Sequence, residues 1–300
     1  MKRQKLIIYS KAIILMITDK ETNTLYLADI LPKLNPDFFS RFISVLDECK
    51  IQHSIIPHTK DIWAVDYMPI QIDINNFIRF IYNPQYLQTI KYRKTISDVD
   101  TICDKIGIDT TKSTIVLDGG NVTRTTDKVI MTDRIFQDNP TFQPKQLIRQ
   151  LEALFQVDKL YFVPEQPKDF TGHSDGMIRF IDNHTVLVNN YGKEKEEFRR
   201  AFQIAILNIG LDYIELPYNP YQNTSYNQAN GDYINYLQME QAIVVPVFGI
   251  KEDEEAIRKF EEVFVRQTIA TIESNEIANQ GGILNCITWN IRTEPRTKLA

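Results

Sequence analysis

Residues 171–182 read TGHSDGMIRFID, which places His173 and Asp175 two apart at the head of an apolar run. On an extended backbone alternate residues share a face, so the imidazole and the carboxylate point the same way, with Ser174 on the other side. A proton-transfer group beside a fixed negative charge can grip a cation and move a proton on it, provided a nucleophile arrives from elsewhere in the chain. A second chemistry is open to the same residues. His173-x-Asp175 with a further histidine, His184, is similar to the two-histidine, one-carboxylate pattern that holds non-haem iron.

Regular elements must deliver such a pair, and the chain supplies them in a recurring order. Residues 36–50 carry apolar side chains at helical spacing behind Asn35 as N-cap, residues 52–56 read as a strand, and residues 62–82 as a hairpin turning at 73–76. Helix, strand and hairpin recur at 96–106, 113–117 and 119–136, again at 145–155, 159–163 and 176–191, and again at 194–207, 213–216 and 233–248. A fifth copy takes 254–265 and 268–272 and ends in GGILNCITWNI. One polar residue precedes or heads each hairpin: Asp66, Asp118, His173, Asp232 and Cys286, about 55 residues apart throughout. One amphipathic helix over a small sheet cannot bury its apolar face alone. The period therefore predicts a closed array in which the heads converge on one axis and share a central pocket. Residues 217–231, PYNPYQNTSYNQANG, follow neither period and are expected on the rim of that pocket.

Composition sets the outer bounds. Of 300 residues 43% are hydrophobic and 11% aromatic, enough for a sizeable core, and one domain over residues 1–300 is expected. A net charge of -5 with scattered Lys and Arg leaves no footprint for nucleic acid and does not repel a cationic small molecule. Cys49, Cys103 and Cys286 lack the spacing of a disulfide framework or zinc knuckle, which points to a reducing compartment; Cys49 and Cys103 read as buried apolar residues on helices. The basic, then apolar N-terminus can imitate an export signal. Lys11 interrupts it, so a first strand or hairpin is expected, in a soluble, cytoplasmic protein without a membrane span.

Four motifs occur in order: W-x-x-D at 63–66, LDGGN at 117–121, GHSDGMIRF at 172–180 and GG-x-x-x-C-I-T at 281–288, with YINYL and AIVVPVFG between the last two. Together they resemble the agmatine deiminase family, which includes the bacterial peptidylarginine deiminases, within the guanidine-modifying superfamily. The resemblance implies an α/β fold, a five-bladed pseudo-symmetric propeller of the repeated units with a central active site. It also implies hydrolysis of a guanidinium to a ureido group plus ammonia (N-carbamoylputrescine from agmatine), with no cofactor and no metal. Carried over, Cys286 is the nucleophile, His173 the general acid and base, and Asp66 and Asp175 hold the guanidinium. Asp118 and Asn121 of LDGGN and Trp63, which could stack on the guanidinium plane, complete the expected substrate contacts. The chain departs from the family pattern at Val65, where Arg is common, at Ile283, where Asn is common, and at Asn285, where His is common. These alter pocket walls more than chemistry, and leave open agmatine, arginine or peptidylarginine as substrate.

The implied chemistry suits these residue types. A guanidinium is planar, cationic and resonance-stabilised, so paired carboxylates must fix its plane and a thiolate must attack its carbon. The expected partner is thus a cationic guanidine, not nucleic acid or membrane, with a homo-oligomer left open. Amidino transfer to an amine would begin through the same thiouronium intermediate, and a binding relative would keep the fold without turnover.

Overall fold

A computed structural model describes residues 16–294. The strand or hairpin expected at the N-terminus falls, for residues 1–15, outside the described residues; the run ends in a short 3-10 turn, Asp19–Glu21. The described residues form fifteen strands: β1 (Thr24–Ala28), β2 (Gln52–Ile56), β3 (Ile70–Asp73), β4 (Asn76–Ile81), β5 (Thr111–Val116), β6 (Thr123–Arg124), β7 (Val129–Thr132), β8 (Leu160–Val163), β9 (Ile178–Phe180), β10 (Thr185–Asn189), β11 (Asp212–Leu216), β12 (Leu237–Gln238), β13 (Ala242–Val247), β14 (Thr268–Glu273) and β15 (Thr288–Ile291).

They make five three-stranded mixed sheets. Four are built alike: an antiparallel hairpin, then a helix, then a strand returning parallel to the hairpin's second strand, in the orders β3-β4-β5, β6-β7-β8, β9-β10-β11 and β12-β13-β14. The helix is what permits the parallel return, which no tight turn can make. In the fifth sheet the C-terminal β15 pairs antiparallel with β1, Thr24 opposite Ile291 and Leu27 opposite Thr288, and β1 pairs parallel with β2.

The element order is that of the sequence reading, but the phase differs. The helix and strand expected to open each unit instead close the sheet begun by the preceding hairpin, because periodicity specifies an element's kind and not its partner. β1 was not singled out by pattern at all. Both of its faces are covered, Leu25 and Leu27 packing into one core and Tyr26 against another.

The helices begin where their caps allow. Pro36 opens Pro36–Glu48, and the Asp98 carboxylate accepts from the Thr101 N–H at 3.2 Å, so the second long helix starts at Val99 and not at 96. Each then packs across a sheet boundary. The helix Pro144–Phe155 buries Leu147, Leu151 and Phe155 with Phe80 of β4 and Ile115 of β5, the rings of Phe80 and Phe155 lying 5.5 Å apart. Val99, Ile102 and Cys103 share a core with Trp289 and Ile291 of β15, and Phe38, Phe42 and Leu46 share one with Val244 and Ile272. Burial of each large apolar side chain is worth about 1.5–3 kcal/mol. Here that gain is realised between units, which ties their positions together. No helix among the described residues is long and apolar enough to cross a membrane.

Candidate active site

The loop entering the first strand of each sheet brings a polar side chain to one place. Asp66 lies on the short helix Ala64–Tyr67 before β3, Asp118 precedes the Gly119–Asn121 turn before β6, and His173 and Asp175 lie before β9. Asn235 lies before β12, and Asn285 and Cys286 before β15. All are buried except Cys286, which is partly exposed.

Hydrogen bonds stitch these loops into a ring that follows sheet order. The Gly120 N–H donates to Asp66 Oδ1 at 3.0 Å, and the Asp175 N–H donates to the Gly120 carbonyl at 3.0 Å. Asn235 Nδ2 donates to Asp175 Oδ2 at 3.0 Å, while its Oδ1 accepts from the N–H groups of Asn285 at 3.1 Å and Cys286 at 3.3 Å. The Val65 N–H donates to the Cys286 carbonyl at 3.3 Å and closes the ring. Backbone and amide partners thus hold the side chains of Asp66, Asp175 and Asn235 against a neighbouring loop.

Inside the ring, three carboxylates surround one imidazole. His173 Nε2 stands 3.1 Å from Asp118 Oδ2 and Nδ1 stands 3.5 Å from Asp66 Oδ1. Asp175 Oδ2 accepts from Asn285 Nδ2 at 2.7 Å and from the Cys286 thiol at 3.8 Å. Burial disfavours the imidazolium, but Asp66, Asp118 and Asp175 outweigh it and push His173 up to about 10. Burial also raises Asp66 and Asp175, against the pull of His173. The Cys286 thiol is held well above its ordinary value by burial and by the charges of Asp175 and Asp66. These directions favour an imidazolium at His173 and a protonated thiol at Cys286, with the Asp66 and Asp175 carboxyls themselves raised.

Two glycines make the approach possible. A Cβ on Gly120 would stand 2.5 Å from His173 Nδ1 and 2.7 Å from Asp66 Oδ1, and one on Gly282 would stand 2.6 Å from the Trp63 ring and 2.9 Å from the Cys286 Cβ. Gly282 thereby lies between the Trp63 ring and Cys286. Over this wall lie rings from three loops: Phe170 is 5.2 Å from Tyr86 and 6.1 Å from Tyr226, and Tyr86 donates its hydroxyl hydrogen bond to Asp118 Oδ2 at 3.2 Å. Tyr226 belongs to the 217–231 loop, whose Asn227 carbonyl and neighbouring Phe170 ring press on Gly281, so that loop lies at the rim as expected.

Of the residues singled out in the sequence, Trp63, Asp66, Asp118, His173, Asp175 and Cys286 are together. Asn121 stands apart, because its Oδ1 accepts from the Thr132 N–H at 2.8 Å and the Thr132 hydroxyl at 3.1 Å and braces the turn from behind. Asp232 is buried nearby and accepts from the Ile234 N–H at 3.1 Å; burial holds its carboxyl well above the usual range. His184 is exposed on the β9–β10 turn, whereas His173 is buried. Asn235 was missed. Its only sequence signal is its place inside YINYL, since no titratable chemistry marks an amide.

A model of the Porphyromonas-type peptidyl-arginine deiminase family matches residues 9–291 of the chain. A Mycoplasma mycoides protein named "Putative agmatine deiminase" is 23% identical over 234 residues, 66% of this chain and 62% of that relative, so the chain spans less than two thirds of that relative's length. Among solved structures, C. jejuni agmatine deiminase superposes with a TM-score of 0.78 at 18% identity over 94% of this chain and 97% of its own. DDAH from Pseudomonas aeruginosa, complexed with citrulline, superposes with a TM-score of 0.56 at 11% identity over 90% of this chain and 99% of its own. At these identities the structural likeness is one of fold.

Proposed function

The chain belongs to the Porphyromonas-type peptidyl-arginine deiminase family, and from that premise we propose that it hydrolyses a small alkylguanidine, agmatine foremost, to the ureido product plus ammonia. The observation that carries this reading is the excess of carboxylate around one imidazole and one thiol. A cation of guanidinium shape relieves that excess, and two carboxylates set at an angle receive its paired N–H groups.

Asp66 and Asp175 take the guanidinium, with Trp63 against its plane. The bound cation neutralises the charges that keep Cys286 protonated, so the thiol loses its proton to solvent when the electrophile is present. The thiolate adds to the guanidinium carbon. The C–N bond to the terminal nitrogen breaks as the His173 imidazolium delivers its proton, and ammonia leaves. The imidazole, now neutral, takes a proton from water as the oxygen adds to the thiouronium carbon; the C–S bond breaks with its electron pair left on sulfur, the hydroxyl proton passes to that thiolate, and the ureido product and the Cys286 thiol form. That product carries no charge, so it loses its ion pairs with the carboxylates and dissociates. Asp118, hydrogen-bonded to Nε2, holds the ring in place for both transfers.

The ring of hydrogen bonds running in sheet order and closing from last loop to first supports reading the five sheets as blades about one axis, acting as a single unit. The packed rings of Tyr86, Phe170 and Tyr226 favour a thin alkyl chain over a peptide. Ammonia release from agmatine, arginine, carboxy-blocked arginine and arginine peptides tests the reading. Agmatine is expected to be turned over fastest. Turnover of peptides alone would assign the peptidylarginine activity instead, and no ammonia from any of them would overturn the reading altogether.

A further inference from the structure

A cavity of about 250 Å³ opens away from the catalytic ring, between the helix Glu196–Ile209 and the strands β10 and β11. Its apolar wall comes from the buried side chains Val188, Phe202 and Ile206. Its polar lining holds one cation, Arg199, and one carboxylate, Glu215. The two are not joined: no ion pair among the described residues involves either. Arg199 Nε is buried without a hydrogen-bond partner. Glu215 has one modest partner, Asn190 Nδ2 at 3.2 Å from Oε2. A buried donor left unmade costs about 1–3 kcal/mol, so a chain does not keep one at a cavity wall without a reason.

We propose that this cavity binds a free, neutral α-amino acid with an apolar side chain. Its carboxylate pairs with the Arg199 guanidinium, which offers a planar fork for that group. Its ammonium takes the Glu215 carboxylate. The hydrocarbon side chain lies on Val188, Phe202 and Ile206. The volume is below the range of roughly 300–1,000 Å³ typical of drug-sized ligands and suits one amino acid better than a nucleotide or a peptide. From the opposite face of β10, Asn189 Nδ2 donates at 2.8 Å to the carbonyl of Gly176, the residue after Asp175.

The test is calorimetry on the full chain with L-leucine, with leucinamide, which lacks the carboxylate, and with 4-methylpentanoate, which lacks the ammonium. L-leucine is expected to bind, both analogues to bind about tenfold to a hundredfold more weakly, and Arg199→Gln and Glu215→Gln each to reproduce the loss of one analogue's missing group. Glu215 lies on a partly exposed strand, so its variant reports even where Arg199→Gln fails to fold. The proposal is overturned by no binding of L-leucine at about 10 mM, well above the dissociation constant a few charge-assisted contacts give, or by equal binding of leucine and both analogues. Agmatine turnover plays no part in this measurement, so its outcome is independent of the catalytic reading.

Discussion

Two buried charge clusters meet at Asp175, and they are opposite in design. One is the candidate active-site ring, with Asp66, Asp118 and Asp175 about His173. The other is lined by Arg124, Arg179 and Asp19 in a cavity that Asp175 and Asn285 also border. Arg179 Nη2 donates to Asp19 Oδ2 at 2.6 Å and Nη1 to the Tyr236 carbonyl at 3.1 Å, with the guanidinium 4.7 Å from the Tyr236 ring. Arg124 Nη1 donates to the Gln71 carbonyl at 3.2 Å. In that cluster a guanidinium already has its carboxylate, its aromatic face and its backbone acceptors. The candidate active-site ring offers carboxylates and Trp63 around the His173 imidazole, with no guanidinium of the chain among them, and sets a thiol beside Asp175. The same recognition geometry is structural where the chain supplies the guanidinium and, in our reading, catalytic where the substrate does.

Single substitutions on the two sides should therefore separate activity from stability. Cys286→Ala should lower kcat by about 10⁴-fold or more with the unfolding midpoint unchanged, measured by ammonia release and denaturant titration. Arg179→Met should do the reverse, costing about 1–3 kcal/mol of stability because it strands the Tyr236 carbonyl and leaves the half-buried Asp19 only the more distant Arg124, 4.0 Å away, while kcat/KM at a temperature well below the transition stays within about tenfold of wild type. If Arg179→Met abolishes turnover in folded protein, or Cys286→Ala unfolds it, the division fails.

Asn235 sharpens the boundary, since it touches both Asp175 and the Cys286 backbone without carrying charge. Asn235→Ala should reduce kcat by about 10- to 100-fold, with less change in KM, and Asn235→Asp should be worse because it adds a fourth carboxylate to the ring. A variant with unchanged kcat and raised KM would make Asn235 a binding contact instead.

The smallest effect is in the pH dependence of stability. His173 is raised from 6.5 to about 10 in the folded chain by carboxylates that outweigh its burial. The folded state thus holds a proton that the unfolded state releases. The stability this confers is complete below pH 6.5 and is lost as pH climbs toward about 10. Thermal unfolding of wild type should show a midpoint that declines over that interval by a few degrees, and His173→Gln should flatten the decline. Parallel curves for the two proteins would remove His173 from the account.

Much of this was readable in one dimension. The pairing of His173 with Asp175 was legible in their spacing, although Asp175 lies in a turn before β9 and not on the extended run that alternation assumes; the helices carry their own periodicity and caps, and the recurrence of polar heads foretold that distant loops converge. These are local properties of backbone geometry and side-chain pattern, and they survive without knowledge of the neighbours. The folded chain alone decided the rest. Which hairpin a strand completes, that β15 finds its partner in β1 at the other end of the chain, that Asn121 turns to Thr132 and that Asn235 bridges Asp175 to Cys286 all depend on pairings between residues tens to hundreds of positions apart. Such pairings are chosen by which buried donors find acceptors once the helices have packed across the sheet boundaries, and no spacing along the chain encodes that choice.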